Sequence, residues 1–349
     1  MSLKLGIIGY GGMAGWHHEN CTKVSGVEVV AAYDIDPERV ALAEYKGLTG
    51  YRTLNSFLAD ERVNTVLVAT PNDFHCELVC AALNAGKHAI SEKPVAMNVA
   101  ELDQMIAAAK GNGRIFTVHQ NRRWDKDFVT AKAVYDSGEL GKVYAVQSRL
   151  HGMGGIMHGW RGEPQHGGGM IYDWGVHFLD QIYCLVGYDE ITAVKCSVAS
   201  VKNALVDDYF DMVIDTRSGL HIVVEIGTFV LHENPRWMIM GDQGTLRIDD
   251  FAANGKLIKV NTLTEDVPVI VMTSAGPTRT FAPRPKDVKL ELDLPALDPQ
   301  WTEFYANVRD AIDGKAQLIV QPWQVRKVLH LMECAFQSAR TGKQVEVQP

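Results

Sequence analysis

Residues 3–15 read LKLGIIGYGGMAG, a short apolar run that ends at Gly9 and continues as Gly9-x-Gly11-x-x-Ala14. No other stretch constrains the fold as much, because each small residue answers one steric demand. Gly9 permits a tight turn out of a strand. Gly11 lets the backbone approach a pyrophosphate with no Cβ in the way, and Ala14 lets the following helix close on the strand. An anion placed there, beside Gly12 and Met13, meets the free N–H groups of a helix N-terminus. Glycine-rich turns also occur for steric reasons alone, so the downstream context has to decide.

That context is a βαβ pattern. Val27 to Tyr33 (VEVVAAY) is a second β-branched run, and it ends at Asp34, about where an acidic residue meets the adenosine ribose hydroxyls. Asp34 would repel a 2′-phosphate, and Ile35 follows with no Arg or Lys beside it, so the pattern favours NAD over NADP. The competing readings of Asp34 are a solvated strand end or the cap of the helix entered at Asp36-Pro37. Thr65 to Ala69 is a buried strand that stops at Thr70-Pro71-Asn72. A helix from Phe74 to Ala85 precedes the strand Lys87 to Ser91, which ends in Glu92-Lys93-Pro94. A helix from Val99 to Lys110 and a strand from Arg114 to His119 complete the alternation of a parallel sheet with crossover helices. Ligands of such sheets bind at the carboxyl ends of the strands, where these turns lie.

The glycine-rich turn, Ala69-Thr70-Pro71-Asn72-Asp73-Phe74-His75 and Glu92-Lys93-Pro94 resemble successive motifs of the Gfo/Idh/MocA oxidoreductases, typified by glucose-fructose oxidoreductase and inositol dehydrogenase. The resemblance implies that Thr70, Pro71, Asn72, His75 and Glu92 border the cofactor and that Lys93 lies in the active site. A second domain begins after Asn121, so the expected organisation is 1–121 for the NAD-binding Rossmann domain and 122–349 for substrate binding and oligomerisation. Residues 152–169 are rich in Gly and His and contain Trp160-Arg161; this composition suits a site wall better than a flexible linker. The helix that follows contains Asp173, His177 and Asp180, spaced four and three apart on one face. A carboxylate one turn before an imidazole can orient it, and the spacing matches the family's Asp-x-Gly-x-His-x-x-Asp motif.

Strand patterns then run over 191–201, 208–216, 221–230, 236–240, 245–248 and 257–260. They resemble the family's second domain, a large, open, mainly antiparallel sheet, so the implied class is α/β plus α+β. Such a sheet needs its free face covered, which predicts a homodimer or homotetramer. Residues 262–299, rich in Pro, Thr and charge, read as an irregular excursion. Helices over 301–313 and 322–341 close the chain, and in the family such helices pack back on the first domain.

The chain has 349 residues, enough for about two domains. A net charge of −8 speaks against nucleic acid, and no apolar run approaches the length of a membrane span, so a cytoplasmic protein is expected. Six cysteines without ligand spacing predict neither a disulfide framework nor a metal site. The expected reaction is NAD-dependent oxidation of a secondary alcohol on a sugar, polyol or inositol-like substrate. His177 is the preferred base, Lys93 stabilises the oxygen, and Asp173 orients the pair, although Lys93 and His177 can exchange roles. Arg122, Arg123, His158, Trp160 and Arg161 are substrate contacts by position, with surface or interdomain ion pairs as the alternative for the arginines. Two other functions stay open: a glycosidase using transient oxidation by NAD, and a nucleotide sensor on the same fold.

Overall fold

The computed structural model describes residues 2–261, 270–278 and 288–348. The first sheet consists of β1 (Leu3–Ile8), β2 (Val27–Tyr33), β3 (Thr49–Tyr51), β4 (Thr65–Val68), β5 (His88–Ser91) and β6 (Phe116–Val118). All its pairings are parallel, in the order β3-β2-β1-β4-β5-β6. Between these strands run α1 (Gly12–Cys21), α2 (Pro37–Tyr45), α3 (Leu54–Leu58), α4 (His75–Asn84) and α5 (Val99–Gly111). Helices cover both faces, which is why β4 reads as an unbroken apolar run and is buried at every position. The strand order reverses between β1 and β4, and the turns carrying the sequence motifs open at that switch point.

The remaining chain builds a second layer from α6 (Lys126–Asp136), β7 (Val143–His151), α7 (Val176–Val186), β8 (Ile191–Ala199), β9 (Tyr209–Thr216), β10 (His221–Gly227), β11 (Trp237–Gly241), β12 (Gly244–Ile248) and β13 (Gly255–Val260). After these come β14 (Val271–Thr273), β15 (Gly276–Thr278), β16 (Lys289–Leu292), α8 (Glu303–Ile312), α9 (Pro322–Thr341) and β17 (Val345–Glu346). Nine strands form one sheet in the order β16-β13-β12-β11-β7-β10-β9-β8-β17. Its pairings are antiparallel except β7 with β10. Strand β9 shows the period of two: Phe210, Met212 and Ile214 are fully buried, and the residues between them are half-buried. The expected class, a Rossmann sheet plus a large, mostly antiparallel sheet, is the one observed.

Differences from the sequence reading concern short elements. β3, α3, β16 and β17 have little pattern of their own and exist through pairing, as when Val345 and Glu346 align with Val194 and Ala193 of β8. Within the stretch read as irregular, the β14–β15 hairpin and β16 are ordered pieces, and residues 262–269 and 279–287 lie outside the described residues.

The C-terminal helices bond to the first sheet's layer. Thr117 Oγ1 donates to the Val320 carbonyl at 2.8 Å, and the Val99 N–H donates to Glu333 Oε1 at 2.8 Å. Arg123 is the hinge pin of this packing. Its Nε and Nη2 grip both Asp180 oxygens at 2.8 and 2.7 Å, and further donors reach the Ile319 carbonyl, Gln324 and Tyr188. The reading of Arg123 as a substrate contact therefore gives way to its alternative, an ion pair between elements, and Asp180 serves the same pair. Both side chains are nearly dry, 7% and 2% exposed, so removing one charge strands the other. Asp180→Ala is expected to cost about 3–5 kcal/mol in denaturant unfolding, and Asp180→Asn less, because it keeps one acceptor.

Candidate active site

At the end of β1, Gly9 has φ +85°, and a Cβ there would lie 2.9 Å from the Ala69 carbonyl oxygen. Only glycine suits that position. Gly11 caps α1, Ala14 is fully buried against the sheet, and a Cβ on Gly12 would meet nothing within 4 Å. The first turn of α1 carries no acidic side chain, so nothing opposes an anion at its N–H groups. Met13 is half-exposed on the same turn.

Asp34 closes this turn from β2. Its Oδ2 accepts the Tyr10 N–H at 2.7 Å, and its Oδ1 accepts the Asp36 N–H at 2.9 Å. Capping of α2 belongs instead to Asp36, whose carboxylate accepts the Glu38 N–H at 2.9 Å. One expectation needs correction: a basic residue does stand beside Asp34. The first turn of α2 swings Arg39 back, leaving Nη1 3.7 Å from Asp34 Oδ2 and 3.6 Å from where a Gly11 Cβ would be. Only the helix turn makes residues five apart into neighbours here.

The turns after β4 and β5 are bound together. His75 is fully buried, its ring nitrogens 2.9 and 3.0 Å from the Pro94 and Thr70 carbonyls, and burial pushes its pKa down. Thr70 and Pro71 lie in the first of these turns, and Asn72 donates from its side chain to the Gly167 carbonyl at 3.0 Å. Asn72 and His75 thus hold these turns in place through packing and hydrogen bonds to backbone. Glu92 is caged: Oε1 takes His17 Nε2 and His119 Nδ1, each at 2.7 Å, and Oε2 takes the Lys93 N–H at 3.1 Å. Burial alone would raise its pKa, but the two imidazoles hold it well below the carboxylate range. These three side chains are of metal-ligating types, yet here they form a hydrogen-bonded cage extended by Tyr305, whose hydroxyl is 2.7 Å from His17 Nδ1.

Beyond the cage, Lys93 crosses to the second layer. Its Nζ donates to the Asp173 carbonyl at 2.8 Å and to Asp173 Oδ1 at 3.0 Å. Asp173 stands in a π-helical turn, Ile171–Gly175, that leads into α7; such wide turns recur at functional sites. Asp207 holds that turn by accepting the Ile171 N–H at 2.9 Å, and burial pushes Asp207 up to about 6. Burial would also raise Asp173, but Lys93 and Arg161 keep it below its ordinary value.

His177 follows on α7, 4% exposed, with no partner on Nδ1. Burial, reinforced by the Lys93 and Arg122 charges, pushes its pKa well below 6.5. The expected carboxylate support from Asp173 is not formed, because Asp173 bonds Lys93 and Arg161 instead. Arg122 donates to Asp125 at 2.8 Å and lies over Trp174, 4.0 Å from the ring centroid, with Phe251 at 5.3 Å on another side.

The Gly- and His-rich loop is an anchored wall. Asn203 bonds to its Gly155 and Met157 backbone, and His166 meets Asp73 at 2.9 Å. Trp160 underlies the Arg161 guanidinium at 4.6 Å, and His158 is exposed beside them. Phe251, Asp207 and the His17–His119 cage were not legible in the sequence, because tertiary contact alone joins them to the site.

Comparison with known proteins places this geometry. Residues 3–120 match the oxidoreductase family with an NAD-binding Rossmann fold, and residues 128–247 match the GFO/IDH/MocA C-terminal domain. A solved NAD-binding protein from Listeria innocua is 38% identical, covers 99% of both chains and superposes with a TM-score of 0.94. The inositol 2-dehydrogenase of Salmonella typhimurium is 33% identical over 65% of this chain and 67% of its own length. The scyllo-inositol 2-dehydrogenase (NADP(+)) of Bacillus subtilis is 26% identical over 99% of this chain and 96% of its own. The glycine turn, the acid-free helix start and Asp34 fit NAD, and Arg39 lies beside the Asp34 carboxylate. Asp34→Ser should therefore shift the ratio of NADP to NAD affinity by at least about tenfold, roughly 1.4 kcal/mol, without an added arginine; calorimetric titration of both nucleotides checks this.

Proposed function

This chain belongs to the GFO/IDH/MocA family of NAD-binding oxidoreductases, and on that footing we propose that it oxidises a secondary alcohol of a sugar, polyol or inositol-like substrate. The observation that carries the reading is the Lys93–Asp173 pair, which brings an ammonium group and the neutral His177 together beside the Rossmann turns. Gly9, Gly11, Gly12, Met13 and Asp34 would hold the dinucleotide, with Thr70, Pro71, Asn72, His75, Glu92 and Lys93 on its nicotinamide side. When bound, NAD supplies the hydride acceptor.

The chain's own residues then handle one proton and one developing charge. Lys93 directs two of its three N–H groups at Asp173 and keeps one for the carbinol oxygen, where it stabilises negative charge. His177, uncharged because its surroundings disfavour the imidazolium, accepts the hydroxyl proton. Asp173 positions Lys93 rather than His177. Arg122, Trp160 and Arg161 border the substrate side. Leu290 and Leu292 are exposed on one face of the large sheet and Ile258 on the other, and covering such apolar surface favours a homodimer or homotetramer, which light scattering of the purified protein would check.

NADH formation across polyols, aldoses, inositols and sugar acids is the direct test. Lys93→Ala and His177→Ala should each lower kcat about 100-fold or more, with NAD affinity retained in His177→Ala. The pH profile has a definite sign. The base must be unprotonated, and its pKa lies well below 6.5, so kcat/KM for oxidation should lose no activity to this group between pH 8 and 6.5 and should fall only below that range. An acidic limb above pH 6.5 that disappears in His177→Ala would keep His177 as the base and contradict its lowered pKa, whereas one that persists in His177→Ala would belong to another group.

A further inference from the structure

Asp173 is shared by two cations. Lys93 pairs with it at 3.0 Å, whereas Arg122 has Asp125 at 2.8 Å and the buried Arg236 has Asp127 at 3.1 Å. Arg161 has no carboxylate to itself: its Nε lies 3.3 Å from the Asp173 oxygen that Lys93 also contacts, and among the described residues no other side chain pairs with it. Its two terminal nitrogens have no hydrogen-bond acceptor there. The side chain is 39% exposed yet held flat, with the guanidinium carbon 4.6 Å from the Trp160 ring centroid.

A planar guanidinium with both terminal nitrogens free is built for a bidentate oxyanion. We propose that the substrate is a polyhydroxy acid, and that Arg161 binds its carboxylate while Lys93 holds the hydroxyl to be oxidised. This rests on the dehydrogenase reading above and narrows its substrate class.

The spacing limits the substrate further. Arg161 Nε and Lys93 Nζ both contact the one oxygen Asp173 Oδ1, at 3.3 and 3.0 Å, so the two cations are near neighbours. The carboxylate must then sit within about the width of one sugar ring from the reacting carbinol. Hexuronic and aldonic acids satisfy that distance, whereas a phosphate at the end of a long linker does not. Asp173 acts as the spacer, and its negative charge keeps Lys93 and Arg161 from repelling each other before the acid arrives. A neutral polyol would leave the two terminal nitrogens of Arg161 to water, whereas the matching acid pairs with both.

The test uses matched pairs on the NAD-loaded full chain: D-glucose with D-glucuronate, D-galactose with D-galacturonate, and sorbitol with D-gluconate. NADH formation gives kcat/KM for each, and isothermal titration gives affinity. The wild type should prefer the acid of at least one pair tenfold or more. Arg161→Gln should reduce that acid-to-neutral ratio at least tenfold, and Arg161→Lys, which keeps the charge without the fork, should fall between. Oxidation of the neutral members with equal or greater efficiency, or an unchanged ratio in Arg161→Gln, overturns the carboxylate while leaving the dehydrogenase reading intact. Acids that bind in an Arg161-dependent manner without forming NADH support the carboxylate and count against the dehydrogenase reading. If no acid binds, the proposal is overturned.

Discussion

The ion pair between Lys93 and Asp173 is the constraint on which the site depends. Eighty residues separate the two: Lys93 follows the end of β5 in the first sheet, and Asp173 stands in the π-helical turn before α7. Lys93 leaves the end of a parallel strand at a switch point, while Asp173 sits on the turn that starts α7. Each side chain is largely withdrawn from water, and the other offsets the cost of burying its charge. Their union sets the distance between the nucleotide turn and the substrate wall. His177 owes its neutral state first to burial, and the Lys93 charge that neutralises Asp173 adds to it by opposing an imidazolium.

Behind Lys93 the Glu92 cage does a second kind of work. A carboxylate fully enclosed by protein is tolerable only if its oxygens are satisfied, and His17, His119 and the Lys93 N–H meet that need. Since Tyr305 extends the cage to α8, the C-terminal helix supports the residue next to Lys93 from the opposite end of the chain. The Arg123–Asp180 pair does the same for α7. Two buried polar networks thus hold the two halves of the site, one on each side of the Lys93–Asp173 contact.

Much of this was readable in order along the chain. The glycine turn, the Thr-Pro and Glu-Lys-Pro turns and the Asp173–His177 helix are local patterns, and their elements lie within a few residues of where periodicity and turn chemistry put them. The contacts were less legible. Asp173 was read as the support of His177 because four-residue spacing puts two side chains on one face; the π turn and the Lys93 charge drew it elsewhere. Arg123 and Arg122 are adjacent and of one type, yet one is locked in a dry ion pair and the other lies stacked on Trp174. Nothing in the dipeptide distinguishes them.

By itself, then, the sequence determined the longer elements, the parallel pairing of the first sheet and the turns able to receive a dinucleotide, because those follow from backbone sterics and hydrophobic period over short distances. Tertiary structure decided which charges meet. It brought Arg39 back to Asp34, assigned Asp173 to Lys93 and Asp180 to Arg123, and left Arg161 to share Asp173 with Lys93. Such pairings depend on burial and on the approach of residues far apart in the chain, and the electrostatic cost of a dry, unpaired charge selects among them only once the fold has closed.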